Sequence, residues 1–373
     1  MPAPPDLIAT RLSRLRAAVE ASGVEALVVS HPPNLLYLLG VSASAGLAVV
    51  TPDGTVVLAD ERYREAFAYA VADVSDVSVI PVTVGSSYEE ALAAHLAAGA
   101  VRTVGVEAGA MTLSRAAAVR LALPAGGPAL IETDGLVERL RMVKDPWEQA
   151  VFREAGGRLT EVAACILPKV LAGRQEREVA WEIDVALRHG GFERPAFETM
   201  VASGPNSARP HHRAGARRIE SGDLVVVDFG GVLEGYAVDM TRTVAVEQVA
   251  NDRRRWMALV AAAQRAAIAA CGPGARPSAI DAAARRVLTA AGLGDRFVHS
   301  TGHGLGLEVH ERPTIGPRGD ISGPVTAGMV FTVEPGVYVP GEGGVRIEDD
   351  VIVTATGVER LTGAVPGFEA HES

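Results

Sequence analysis

The chain has 373 residues, 48% of them hydrophobic and 21% charged, with a formal net charge of −10 and a pI of about 5.5. That length allows two domains with separate cores, and the acidic balance argues against nucleic acid or an anionic membrane as partner. No run reaches the ~18 apolar residues of a membrane span, and the N-terminus, with Asp6 and Arg11, lacks a basic stretch followed by an apolar one, so a cytoplasmic protein is expected.

Residues 6–22 repeat apolar side chains at helical spacing and stop at Gly23. The short β-like runs EALVVS, GLAVV, TVVLA, VSVI and TVGVE follow, interleaved with helical segments near 60–71, 87–98 and 112–121. Pro52-Asp53-Gly54 marks a tight turn among them. The alternation predicts an α/β domain with a mixed sheet over residues 1–143. His31 and His95 stand alone there, and no constellation of catalytic residue types accompanies them.

A second domain, residues 144–373, opens at Lys144-Asp145-Pro146-Trp147. Asp145 suits an N-cap, Pro146 the first helical position and Glu148 the first turn, so a helix starts here and is expected to reach about Leu171. Further helices are predicted from Gln175 to Arg188, over 252–271 and over 277–291, with glycines at their ends. Cys165 and Cys271 fall in these apolar helical contexts and read as inert buried thiols of a reducing compartment. Antiparallel β segments between helices, without strict alternation, make this half α+β.

Residues 222–242, GDLVVVDFGGVLEGYAVDMTR, predict two antiparallel strands that carry Asp228 and Asp239 to the same end of a hairpin. A buried ionised carboxylate is costly unless it is paired or bound to a metal, so other residues must answer this pair. HSTGHGLGLEVHE sets His303 among glycines, which permit close backbone approach or positive φ, and puts His310 further along the same stretch. It is no dinucleotide loop, because Leu307 stands where the third glycine would be. FTVEPG places Glu334 at the end of a strand. GGVRIEDDVIV places Glu348 in the middle of another, on the face shared with Arg346 and Asp350 and opposite Val345, Ile347, Asp349 and Val351. Each residue taken singly fits a structural role. Together, two aspartates, one histidine and two glutamates form an oxygen-rich donor set suited to a pair of manganese, cobalt or iron ions and not to a structural zinc.

The order and spacing of VDFGG, GYAVDMTRT, GHGLGLEVHE, TVEPG and VRIEDD resemble those of the pita-bread metallopeptidases, the family of aminopeptidase P, prolidase and methionine aminopeptidase. The first 140 residues are similar to the N-terminal domain of aminopeptidase P and prolidase, a domain that methionine aminopeptidases lack. The resemblance implies a C-terminal pita-bread (creatinase/aminopeptidase) domain after a smaller α/β domain, and two divalent ions, manganese first, with cobalt, iron or zinc as alternatives. It implies that Asp228 binds one ion, that Asp239 and Glu348 bridge both, and that His303 and Glu334 complete the second. His211, at the interval expected before Asp228, joins His310 and Glu334 as a catalytic residue, whereas His212 misses that interval. His310 and Arg346 are the expected substrate contacts, Arg346 by holding site or substrate acids. Two such ions lower the pKa of a shared water from ~15.7 toward ~7 and so supply hydroxide as nucleophile.

The implied activity is hydrolysis of the Xaa-Pro bond at the amino terminus of peptides, by an aminopeptidase or a dipeptidase, within a homodimer. Asp320 stands where prolidases are expected to place an arginine, which favours longer peptides and leaves Arg312 and Arg318 as the cations for a dipeptide carboxylate. Metal-free relatives, whether creatinase-like enzymes or peptide-binding proteins, are expected to have replaced several of the five ligands, and none is replaced here. A metal-dependent hydrolase or lyase of a small osmolyte on the same fold is the alternative.

Overall fold

The computed structural model describes residues 3–99 and 101–365; the outermost residues of both predicted domains, 1–2 and 366–373, lie outside the described residues. The chain divides into two units between Arg141 and Met142.

In the first unit, Gly23 takes φ +80° and ends α1 (Pro5–Ser22), since a left-handed residue satisfies the last helical carbonyls without a Cβ clash. The predicted β runs become β1 (Ala26–Val29), β2 (Leu47–Thr51), β3 (Gly54–Ala59), β4 (Val77–Pro81) and β5 (Thr103–Glu107). With β6 (Ala129–Thr133) they form one six-stranded sheet of order β4-β3-β2-β1-β5-β6, and α2 (Pro32–Leu39), α3 (Arg64–Ala70), α4 (Tyr88–Ala98), α5 (Leu113–Ala122) and α6 (Leu136–Arg141) are the other helices of the unit. The sheet is mixed, as expected: β1 runs antiparallel to β2 and parallel to β5. Sequence reasoning missed β6, an edge strand whose side chains are largely exposed and so carry no alternating apolar signal.

The second unit is α+β. Its helices are α7 (Pro146–Ile166), α8 (Glu176–His189), α9 (Asn251–Ala269) and α10 (Pro277–Ala290). Asp145 caps α7 by accepting from the Glu148 amide while the Glu148 carboxylate accepts from the Asp145 amide, a reciprocal capping box. The helix stops at Ile166, short of Leu171, because Pro168 cannot donate to the preceding turn; a short 3-10 turn over Leu167–Lys169 follows. Cys271 is buried, but Cys165 lies on the exposed side of α7 with its Sγ 3.7 Å from Lys169 Nζ, so the expectation of two buried thiols fails for Cys165.

The strands of this unit make three sheets. β7 (Arg194–Pro195), β8 (Met200–Ser203), β9 (Leu224–Leu233) and β10 (Tyr236–Ala245) form one, with β7, β8 and β10 all antiparallel to β9. β11 (Gly302–Gly304), β12 (Glu311–Ile315), β13 (Val330–Val333), β16 (Asp349–Val353) and β17 (Val358–Arg360) form a second, in the order β12-β11-β13-β16-β17. β14 (Gly336–Val339) pairs with β15 (Gly343–Arg346) in the third. α7 packs on β9 and β10, and α9 packs on α10 and against β13, β14 and β15. Buried on both faces, β9 and β10 read as near-continuous apolar runs, and any acid inside them is out of place unless it does chemistry.

Candidate metal centre

The hairpin supplies the first two acids. Gly230 pairs with Asp239 and Thr241 pairs with Asp228, so the carboxylates sit two rungs apart on one face of the ladder. They lie in its middle and not at one end, because the turn at Glu234-Gly235 leaves ten-residue strands on both sides. Glu348 also departs from expectation: it lies in the break between β15 and β16, not inside a strand. Side chains keep alternating through the break, so Val345 and Val351 stay in the core while Arg346, Glu348 and Asp350 turn to the acids.

His303 is set by glycines acting through close approach, not positive φ. A Cβ on Gly302 would run into the Thr332 carbonyl, and one on Gly304 into the Arg312 carbonyl. Since a carbonyl can only accept, His303 Nδ1 donates to Gly304 at 3.1 Å and leaves Nε2 with a lone pair for the site. Thr332 Oγ1 accepts from the His303 amide at 3.1 Å and donates to Glu334 Oε1 at 3.3 Å, orienting both.

Ligand atoms of Asp239, His303 and Glu348 all lie within 4.8 Å of one another. Glu334 adjoins them, its Oε1 3.5 Å from His303 Nε2. Asp228 pairs through Oδ2 with Arg346, while its Oδ1 is buried without a partner. Asp239 Oδ1 and Glu348 Oε1 are orphaned in the same way. A buried polar atom left unpaired costs roughly 1–3 kcal/mol, more when charged, so three orphans among these acids are not a resting core arrangement. Burial, then the crowding of Glu348, Asp228, Asp350 and Glu334, pushes the Asp239 carboxyl well above the usual range. Burial and the neighbouring Glu334 and Asp228 do the same to Glu348, and burial raises Glu334. Burial holds His303 below its ordinary value, which keeps the imidazole neutral and able to ligate. Hard oxygens with one imidazole, several acids with Arg346 as the cation paired to Asp228, fit divalent cations.

A supporting layer fixes these donors. Thr241 Oγ1 donates to Glu348 at 2.6 Å, and the Asp239 amide donates to Asp350 at 2.9 Å. Arg242 donates to Asp349 at 2.7 Å and to the Glu348 carbonyl, clamping the break at Glu348. Arg346 is buried; besides Asp228 it reaches Tyr338 Oη at 2.9 Å and the Pro210 carbonyl at 3.3 Å. Of the two contacts expected of it, the structure gives it the one with a site acid. Tyr338, whose hydroxyl burial pushes up to about 12, passes the chain on to His299 Nε2 at 2.9 Å. The His310 ring lies tilted against that of His303, their centroids 4.2 Å apart, and His310 is held below its ordinary value by partial burial and then by the nearby His303 and His211 imidazoles. His211 is exposed and near enough to act on His310, whereas His212 turns to Glu176 at 2.9 Å. Thr241, Tyr338 and His299 went unseen in the sequence; the proximity of His299 to His303 in HSTGH was the one available signal. Asp320 is exposed and bonded to Ser278 at the start of α10.

Two family models match the chain: the metallopeptidase family M24 over residues 150–355 and the creatinase/prolidase N-terminal domain over residues 11–143. The chain belongs to metallopeptidase family M24. An Xaa-Pro dipeptidase of Pyrococcus furiosus is 32% identical over 94% of this chain and 97% of its own length. Among solved structures, an Xaa-Pro dipeptidase from Bacillus anthracis superposes with a TM-score of 0.90 at 32% identity, covering 96% of this chain and 98% of that one. An X-Pro aminopeptidase from Thermotoga maritima does so with 0.83 at 30% identity, covering 93% and 98%. The M24 unit and its N-terminal companion account for both units of the fold, and this M24 member is a metal-dependent peptidase. Among the described residues, no helix is long and apolar enough to cross a membrane.

Proposed function

We propose that this M24 peptidase removes the amino-terminal residue from peptides with proline in second position, and that Asp228, Asp239, His303, Glu334 and Glu348 hold the two cations it needs. The observation that carries the reading is the grouping of Asp239, Glu348 and His303, whose ligand atoms lie within 4.8 Å of one another, with orphaned carboxylate oxygens on Asp239, Glu348 and the neighbouring Asp228. When bound, divalent cations supply Lewis acidity and lower the pKa of a shared water. Asp228, Asp239, His303, Glu334 and Glu348 would hold the pair, with Arg346 fixing the Asp228 carboxylate through Oδ2 and Glu334 beside His303.

Glu334, its Oε1 3.5 Å from His303 Nε2, is the carboxylate assigned to take the proton released from the attacking water. His310 and His211 donate hydrogen bonds to the scissile carbonyl oxygen as charge develops on it or to the departing amine, and losing one such donor costs ~10²–10³ in rate. The Xaa-Pro bond suits an enzyme that recognises the bond from its amino-terminal side, because proline offers no N–H for strand-like binding of the substrate. The relatives named Xaa-Pro dipeptidase and X-Pro aminopeptidase support this substrate class. Manganese as the resident metal is favoured by the oxygen-rich donor set, and a cytoplasmic homodimer completes the reading.

The experiment is a peptide panel with added manganese or cobalt. Release of the first residue from Xaa-Pro and Xaa-Pro-Xaa peptides, absent from Xaa-Ala controls, is expected; turnover of small guanidino or betaine-like compounds with no peptide cleavage would point to the osmolyte alternative.

A further inference from the structure

His211 stands on a stretch with almost no regular structure. After β8 the chain makes a 3-10 turn over Gly204–Ala208, then runs irregularly to β9. A donor on such a stretch is useful in catalysis only if something holds it within a fraction of an ångström. The holder is Glu176, the first residue of α8, whose side chain is fully buried. Its Oε1 accepts from the Ser203 amide at 2.8 Å, from Ser203 Oγ at 2.7 Å and from Asn206 Nδ2 at 2.9 Å. Its Oε2 accepts from His212 Nε2 at 2.9 Å and from the Gly215 amide at 3.1 Å. The bonds fall on both sides of His211, and on the metal side Arg346 ties down the carbonyl of Pro210.

Five donors converge on this carboxylate, which only an acceptor on both oxygens can satisfy. Burial alone would raise Glu176, but the bonds from Asn206, His212 and Ser203 hold its carboxyl below the ordinary value and therefore ionised. His212 is thus anchored on Glu176, while the adjacent His211 is exposed and near enough to His310 to act on it.

We propose that Glu176 is a positioning residue for the reaction, acting through the Ser203–Gly215 loop to fix His211 over the metal centre. The proposal rests on the role given to His211 above. With the manganese-loaded full chain and an Xaa-Pro peptide, Glu176→Gln, which sets an NH2 donor against other donors, is expected to lower kcat about tenfold or more at unchanged KM, the pattern of an interaction made in the transition state. His211→Ala alone should lose ~10²–10³. Adding Glu176→Gln to it should cost nothing more. Losses that multiply in the double variant, or wild-type kcat in Glu176→Gln, overturn the proposal. Asn206→Ala, which keeps the carboxylate and removes one bond, serves if Glu176→Gln does not fold; its smaller loss must also vanish in the His211→Ala background. Amide exchange across residues 203–215 needs no substrate. Faster exchange at Ser203 and Gly215 in Glu176→Gln is expected, and unchanged protection refutes the clamp. A wild-type chain inert on every proline peptide would bring down the functional reading, while the exchange measurement would still decide whether Glu176 fixes the loop.

Discussion

Asp228 and Asp239 are the same residue type on one face of one hairpin, yet their surroundings make them unequal. Asp239 has Glu348 and His303 within ligand reach, and its amide is held by Asp350; Asp228 shares its carboxylate with the Arg346 guanidinium. Asp239→Ala is therefore expected to lose both metal ions, whereas Asp228→Ala mainly weakens one. Metal analysis of the purified variants checks this, and equal loss of both ions in each would contradict it. Arg346 is expected to matter for geometry: Arg346→Lys keeps the charge but loses the fork that joins Asp228, Thr241 and Tyr338, so kcat should fall ~10-fold or more with the fold intact. Wild-type kcat in that variant would assign Arg346 to bulk charge alone. The five candidate donors stand out in the sequence because acids in apolar runs and a histidine among glycines violate ordinary composition rules, and the structure brings Asp239, His303 and Glu348 together. Thr241, Tyr338 and Glu176 were not, since a threonine or tyrosine in a strand and a glutamate opening a helix violate none; only the folded contacts give them work.

At the level of elements, the centre depends on backbones pressed together more closely than side chains allow. β11 can present His303 because Gly302 and Gly304 let it lie against the Thr332 and Arg312 carbonyls. Gly302→Ala forces that contact apart, and a cost of ~1–3 kcal/mol is expected in the metal-free protein, read from the denaturant midpoint. An unchanged midpoint would mean that the strand has room the structure does not show. The hairpin β9–β10 was readable from its two apolar runs, although the Gly230-Gly231 pair that interrupts the first lies inside β9 and the turn falls at Glu234-Gly235. The break after β15 was not. Alternation of Val345, Ile347, Asp349 and Val351 continues across it, so period alone could not separate one bent strand from two. The bend is what brings Glu348 beside Asp239, with Arg242 fastened to the Glu348 carbonyl and the Asp349 carboxylate. The overlong prediction for α7 has a similar origin: apolar residues continue past Ile166 in a 3-10 turn, and Pro168 outweighed that pattern.

For the molecule as a whole, buried like charges at the centre of the second unit make cations part of its stability. Ligands that bind only the folded state stabilise it by ~2.7 kcal/mol at a hundredfold excess over Kd, so chelation should lower Tm and restoring manganese should recover it. A Tm indifferent to chelator and metal would place the acids outside any cation site. The two-unit organisation was visible in the shift from β-run alternation to the capped helix at Asp145, because capping chemistry is local and leaves its mark in sequence. The most direct measurement of the central claim is amino-terminal residue release from an Xaa-Pro-Xaa peptide and an Xaa-Pro dipeptide by the chelated and the manganese-loaded enzyme, with matched Xaa-Ala peptides as controls. Cleavage of the proline peptides that disappears with the metal and returns on its addition is the predicted result; equal cleavage of the alanine controls, or proline-peptide cleavage that persists without metal, would contradict it.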